Sequence, residues 1–317
     1  MKKYLIAGGL GAIGKNLIAS LNSSNDCTIL IIDNMSSENK QFASYFDNYD
    51  NVRVEVLDIC NQEKLNKLVI DFKPNFIFHL AAHFANQNSV DFIFSDMNVN
   101  IIGTINLLEA SIKLDCLEKF IYASSSCVYG NSTLMSEDDK IFPYDTPYAI
   151  NKYVGEMYMK YYFNHYNLPT ISVRIFNTYG PFDLPGKYRN FIPNLVESAF
   201  NNNEIIITGD GSETRDFTFV TDTCDLLILA SQYRGAYDVF NSGTGIGTSI
   251  NELVSLVTKK IYSKSQITYC EKRIWDTVNH RKSNIRKANL LLSYNPSVNL
   301  STGLDIYIDW FLNSYMK

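Results

Sequence analysis

Several features are scarce or missing in this 317-residue chain, and each absence excludes something. Its six cysteines, Cys27, Cys60, Cys116, Cys127, Cys224 and Cys270, are scattered with no Cys-x-x-Cys pair. That pattern argues against a zinc site or a disulfide framework and fits a reducing, cytoplasmic setting. Only four histidines occur, with no carboxylates at ligand spacing, so no metal is expected. No apolar run approaches the roughly 18 residues that a membrane helix needs. Charge of one sign is never concentrated: 28 Lys+Arg face 33 Asp+Glu without a block, which leaves no electrostatic footprint for nucleic acid or anionic lipid. A small molecule is the expected partner.

With 46% hydrophobic and 19% charged residues, the chain can build one large α/β domain or two lobes. Lys2 and Lys3 ahead of Tyr4 to Ile13 imitate a secretory leader, but Gly8, Gly9, Gly11 and Gly14 interrupt the stretch at a spacing with another use. Tyr4 to Ala7, Thr28 to Ile32, Val52 to Leu57, Phe76 to Leu80, Phe120 to Ala123 and Thr170 to Ile175 are continuous apolar runs of strand length. Unalternated runs of this kind suit parallel strands covered on both faces. Helical patterns around Leu65 to Phe72, Ile101 to Leu114 and Val154 to Tyr166 lie between them, and the alternation predicts a doubly wound, parallel Rossmann-type α/β sheet. Pro181, Pro185 and Gly186 mark a long irregular connection after Gly180. A dinucleotide-binding domain over 1–180 is therefore expected, with segments near 217–243 returning to it, and a smaller substrate-binding lobe over 181–317.

Gly9-x-Gly11-x-x-Gly14 matches the dinucleotide fingerprint, and Gly8-x-x-Gly11-x-x-Gly14 matches its short-chain variant. The chemistry needs a tight turn, close approach of backbone to pyrophosphate, and a helix N-terminus aimed at the anion. Asp33 ends the next strand 19 residues beyond Gly14, where a carboxylate takes the adenosine ribose hydroxyls. Asn34, Met35 and Ser36 follow it instead of arginine, so NAD is expected over NADP. Asp58-Ile59 could meet the adenine edge or simply form a turn. Tyr148 and Lys152, four residues apart on a helical stretch, share a face. A lysine ammonium and a nicotinamide cation near a phenol both favour phenolate, drawing a pKa of about 10 toward a range useful to a general base. Hydroxyls in Ser124-Ser125-Ser126-Cys127 follow an apolar strand, at the end where ligands bind in open α/β sheets.

These residues, together with His79-Leu80-Ala81-Ala82, Asn98 through Glu109 in an Asn-x-x-Gly-Thr-x-Asn-Leu-Leu-Glu pattern, Arg174-x-x-Asn177-x-Tyr179-Gly180-Pro181, Gly209-Asp210-Gly211-x-x-x-Arg215-Asp216 and Arg273-x-x-Asp276, resemble the extended short-chain dehydrogenase/reductases that modify nucleotide-linked sugars. The likeness implies Ser125, Tyr148 and Lys152 as catalytic residues. It implies an NAD site built from Gly8, Gly11, Ala12, Ile13, Gly14, Asp33, Asn34, Asp58, Ile59, Leu80, Ala81, Ala82, Asn98, Tyr148 and Lys152. Substrate would meet Ser125, Ser126, Asn177, Arg189, Arg215 and Arg273, whose guanidinium forks suit a nucleotide diphosphate.

The same resemblance implies hydride transfer from a sugar carbon, usually C4, to NAD. Dehydratases of this kind carry Asp-Glu after the catalytic hydroxyl, and decarboxylases a Glu two residues after it. Ser126 and Cys127 stand there, so a 4-epimerase is the simplest reading. Three alternatives stay open: a C4 dehydrogenase that releases the keto sugar, a 3,5-epimerase or reductase using Cys127 as acid/base, and a non-catalytic NAD sensor. The tyrosines Tyr158, Tyr161, Tyr162 and Tyr166 lie at helical spacing, and the family's two-fold helical interface makes a homodimer the expected state; core packing explains the stripe about as well.

Overall fold

The structure, a computed structural model, describes residues 1–22, 26–37, 44–132 and 135–316. Among them, a seven-stranded sheet is formed by β1 (Lys2–Ala7), β2 (Cys27–Asp33), β3 (Val52–Val56), β4 (Phe76–His79), β5 (Lys119–Ser125), β6 (Thr170–Ile175) and β7 (Val239–Ser242). Every pairing in it is parallel, and the order is β7-β6-β5-β4-β1-β2-β3. All six apolar runs became strands because both faces of the sheet are covered. In β2, Ile29 and Ile31 join Leu17 and Ile18 of α1 (Ala12–Leu21), while Leu30 and Ile32 join Leu65 and Val69 of α2 (Gln62–Phe72). All four isoleucine and leucine side chains of that strand are fully buried. Each such side chain contributes about 1.5–3 kcal/mol of transfer free energy. Edge strand β3 departs from this: Arg53 and Glu55 turn to solvent and pair with each other.

Helices follow the crossover logic of parallel sheets. α2 packs on α3 (Thr104–Ser111), and α4 (Pro147–Tyr166) lies over β5 and β6 on that side. The expected helix over 101–114 starts earlier and wider, as a π-helical turn at Asn98–Gly103. Beyond residue 180 come α5 (Phe191–Phe200), α6 (Val220–Gln232) and α7 (Ile250–Ile261). α6 packs against α1, and β7 follows it to join β6, so the stretch near 217–243 is woven into the first sheet. Short strand pairs, Ile205–Thr208 with Ile267–Cys270, Thr214–Arg215 with Thr248–Ser249 and Phe217–Phe219 with Asn177–Tyr179, and the helices Arg286–Leu292 and Leu300–Trp310 are further elements. One apolar cluster runs from Ile6 and Ile29 through Leu195 and Leu253 to Leu304 and Phe311. The core therefore continues across residue 180 without a break.

The reversal of strand order falls between β1 and β4, whose carboxyl ends open a crevice, the usual ligand position in such sheets. No helix among the described residues is long and apolar enough to cross a membrane, and no cluster among them could hold a metal.

Candidate active site

The glycine turn is dictated by close contacts. Gly8 has φ +79°, and a Cβ there would lie 2.5 Å from Ala81 N across the β1/β4 crevice. At Gly14 a Cβ would fall 2.5 Å from Gly9 O, so only glycine lets α1 start against the strand. Gly11 is different: the nearest protein atom to its missing Cβ is Gly8 O at 3.4 Å. Protein packing does not demand glycine there, whereas a ligand lying along the turn does. Asp33 closes the turn from β2, its carboxylate oxygens accepting from Leu10 N (3.0 Å) and Met35 N (2.8 Å), with lone pairs left over.

Gly8, Gly11, Ala12, Ile13, Gly14, Asp33, Asn34, Ile59, Leu80, Ala81, Ala82, Ser125, Ser126, Cys127, Tyr148, Lys152, Asn177, Arg189, Arg215 and Arg273 all line one cleft of about 600 Å³. Two expected cofactor residues do not. Asp58 takes its turn-forming role, accepting from Cys60 N (2.8 Å) and from Asn34 Nδ2 (3.0 Å). Asn98 is exposed on the π-helical turn, away from the cleft lining, its carbonyl met by Cys60 Sγ. The asparagine three residues before Gly103 is Asn100, not Asn98, and it points inward. Asn100 exchanges hydrogen bonds with the His83 backbone (3.0 and 3.2 Å) and donates to Asp96 Oδ2 (2.8 Å).

At the carboxyl end of β5, Ser125 Oγ accepts from Cys127 N (3.2 Å), which turns the chain into the short helix Ser126–Tyr129. Across from it α4 begins, with Pro147 in its first turn and Thr146 as cap, Thr146 Oγ1 accepting from Ala149 N (3.3 Å). Tyr148 and Lys152 are both buried on its inner face. Tyr148 lines the cleft beside Ser125, whose side chain favours the ionised phenol. Lys152 Nζ donates to Ala123 O (2.8 Å) and lies 5.7 Å from the Tyr148 ring centroid.

In the protein alone, the electrostatics oppose a phenolate. Burial pushes the Tyr148 phenol well above its ordinary range, Cys127 and Asp96 add to the rise, and only the Ser125 hydrogen bond opposes it. Burial also brings Lys152 down to about 8, partly countered by Asp96. The protein alone thus keeps Tyr148 protonated, because desolvation outweighs the ammonium. His79 is likewise a buried packing residue, bonded through Nε2 to Thr104 Oγ1 (2.8 Å), with burial lowering its pKa to about 3.

Supporting residues lie beneath, two of which, Glu156 and Asp96, no motif announced. Ser124 Oγ donates to Glu156 Oε1 (2.5 Å), and Arg174 grips Glu156 with both arms (2.9 and 2.8 Å) while stacking on Tyr129. Asp96, fully buried, accepts from Asn100 and Asn151 and sits within electrostatic reach of Lys152. On the far wall, Arg215 Nη2 meets Asp276 Oδ1 (3.4 Å), and burial beside Arg281 lowers Arg215 to about 10. Arg273 lies over Trp275, whose Nε1 donates to Gln87 Oε1 (2.9 Å) across the cleft. A side chamber of about 170 Å³ opens between Cys127, Asn177, Arg215 and Arg281.

The model of the NAD dependent epimerase/dehydratase family matches residues 4–243. The chain is 32% identical to a UDP-glucose 4-epimerase of Mycolicibacterium smegmatis, over 98% of its own length and 99% of the relative's. Among solved structures, an epimerase of Methanothermobacter thermautotrophicus superposes with a TM-score of 0.93 at 36% identity, covering 99% of this chain and 93% of that one. A UDP-glucose 4-epimerase of Thermotoga maritima, solved with UDP-glucose, gives 0.90 at 30% identity, with 99% of each chain covered. A switch-point crevice floored by glycine, a carboxylate at the end of β2 and a buried Ser-Tyr-Lys set agree with these likenesses, and the chain belongs to the NAD dependent epimerase/dehydratase family of enzymes.

Proposed function

We propose that the protein inverts C4 of a UDP-linked sugar, and that Ser125, Tyr148 and Lys152 perform the proton transfer. One observation carries this reading: buried Ser125, Tyr148 and Lys152 line the same cleft as the glycine turn and the arginines Arg215 and Arg273. When bound, NAD supplies the hydride acceptor and, in oxidised form, a positive charge near the phenol. Gly11, Ala12, Ile13 and Gly14 would hold its pyrophosphate, Asp33 its adenosine ribose, and Lys152 its second ribose. Tyr148 would take the proton of the sugar C4 hydroxyl and return it, with Ser125 donating to the same oxygen. Asn177, Arg215 and Arg273 would hold the diphosphate, with Arg189 and Ser126 beside the sugar. Residues 1–180 with the returning segment would serve the coenzyme, and 181–317 would mainly shape the nucleotide-sugar site.

Ser126 and Cys127 carry no carboxylate, so nothing at these positions drives loss of water or carbon dioxide. Cys127 Sγ is met by Asn86 Nδ2 (3.6 Å) and Arg281 Nη1 (3.5 Å). Neither donor exchanges a proton at neutral pH. Asn190, which lines the same cleft, is a neutral amide that donates to Asp183 Oδ2 and Thr178 O. This weighs against a 3,5-epimerase. A homodimer in a reducing cytoplasm completes the proposal. Ile150, Met157 and Tyr161 of α4 are exposed beside Phe94, Met97 and Ile102, while Tyr162 turns inward to Glu109.

Incubation with UDP-, GDP-, CDP- and dTDP-sugars tests the reading, with NMR of the products and NADH absorbance as readouts. A C4-inverted UDP-sugar with only transient NADH is expected. A released 4-keto sugar with accumulating NADH, or deuterium uptake at C3 or C5, would overturn it. Asp33→Ala is expected to weaken NAD about 10- to 100-fold, the value of charged hydrogen bonds to the ribose. Titration of NADH fluorescence measures this, and an unchanged affinity would remove Asp33 from the coenzyme site.

A further inference from the structure

The cleft contains a cation that the proton-transfer set does not use. Arg281 is 8% exposed and lines both the main cleft and the side chamber. Its Nε is buried without a hydrogen-bond partner, and its Nη1 reaches only the Cys127 thiol, a weak acceptor, at 3.5 Å. No carboxylate among the described residues pairs with it. Neighbouring cations are engaged: Arg174 by Glu156, Arg215 by Asp276, Lys272 by Glu213. Both acids that line the side chamber are also engaged, Asp276 with Arg215 and Asp145 with the Thr277 hydroxyl (2.8 Å).

A guanidinium stays charged at any ordinary pH, and burying it unpaired is costly. Such a group in an open chamber calls for an anion from outside the chain. Its place says which one. Cys127 lies two residues beyond Ser125 and lines the same cleft as Tyr148 and Arg281, so on the reading above Arg281 stands beside the reacting sugar ring. Asn86 and Thr146, which also line the chamber, are neutral and hydrogen-bonded to each other (2.9 Å).

We propose that Arg281 recognises a carboxylate on the sugar, so that the substrate class is a nucleotide-linked uronic acid. This rests on the nucleotide-sugar reading above. The planar guanidinium fork matches a carboxylate and has no counterpart to bind on a neutral hydroxymethyl group.

Calorimetric titration of the NAD-loaded protein with UDP, UDP-glucose and UDP-glucuronate tests it. The wild-type protein should bind UDP-glucuronate about 10- to 100-fold more tightly than UDP-glucose. Arg281→Gln should close that gap, losing affinity for UDP-glucuronate far more than for UDP, and Arg281→Lys should retain part of it. Equal wild-type affinities for the two sugars would overturn the proposal, and this ratio can be read even if the Gln variant fails to fold. Equal weakening of all three ligands in Arg281→Gln would also overturn it, assigning the cation to the diphosphate. Failure of all three to bind wild type would sink the UDP-sugar reading itself, whereas binding without C4 inversion would sink only the epimerase assignment.

Discussion

Tyr148→Phe is expected to cut turnover of the nucleotide sugar by roughly a hundred- to ten-thousand-fold, the usual contribution of a positioned acid–base group. The physical basis is narrow. Tyr148 is 7% exposed and packed at the start of α4, so a phenyl ring occupies the same volume and only the hydroxyl disappears. With it goes the group proposed to accept the sugar proton. NAD content and melting temperature should stay close to wild type, which separates lost chemistry from lost structure. Retention of activity to within a factor of ten would mean that another group moves the proton. Because burial holds the phenol above its ordinary range, the activity of wild type should also depend strongly on the charge of Lys152, which sits at about 8 without ligands. Lys152→Met should therefore lose turnover as well, and should weaken coenzyme binding, which Tyr148→Phe should not.

Glu156→Gln is expected to destabilise the protein by about 3–5 kcal/mol, because it leaves Arg174 buried and charged without its counter-ion. At about 2 °C per kcal/mol for a chain of this size, the melting temperature should fall on the order of 10 °C, measured without added NAD. Much of the loss should return in the double variant Glu156→Leu/Arg174→Leu, where neither charge remains to be desolvated. Recovery should be incomplete. Arg174 also stacks 4.6 Å from the Tyr129 ring centroid, and Glu156 accepts from Ser124 at the end of the strand that presents Ser125. Stability of the single Gln variant within 1 °C of wild type would show that the pair is not a structural tie.

Where the chemistry is set within a few residues, it was legible along the chain. Gly8 and Gly14 are demanded by local backbone approach, β2 by an unbroken apolar run, and the shared face of Tyr148 and Lys152 by helical period. The reading failed where a local count had to stand for a packed environment. Asn98 is exposed, whereas Asn100, which the spacing to Gly103 and Thr104 already singles out, is buried and bonded to His83 and Asp96. Asp58 sits at the strand end and forms the turn, accepting from Cys60 N and Asn34 Nδ2, a partnership that only the folded chain reveals.

From its order of residues alone the chain determined a parallel sheet, a phosphate-binding turn and a Ser-Tyr-Lys set. Each of these depends on backbone geometry and periodicity over short spans. Only tertiary structure decided which charges are neutralised and which are not. Glu156 finds Arg174 18 positions away, Arg281 reaches Cys127 across 154, and the protonation of Tyr148 follows from what surrounds it. Desolvation and ion pairing are properties of a filled volume, and that volume is assembled from segments whose proximity no local pattern encodes.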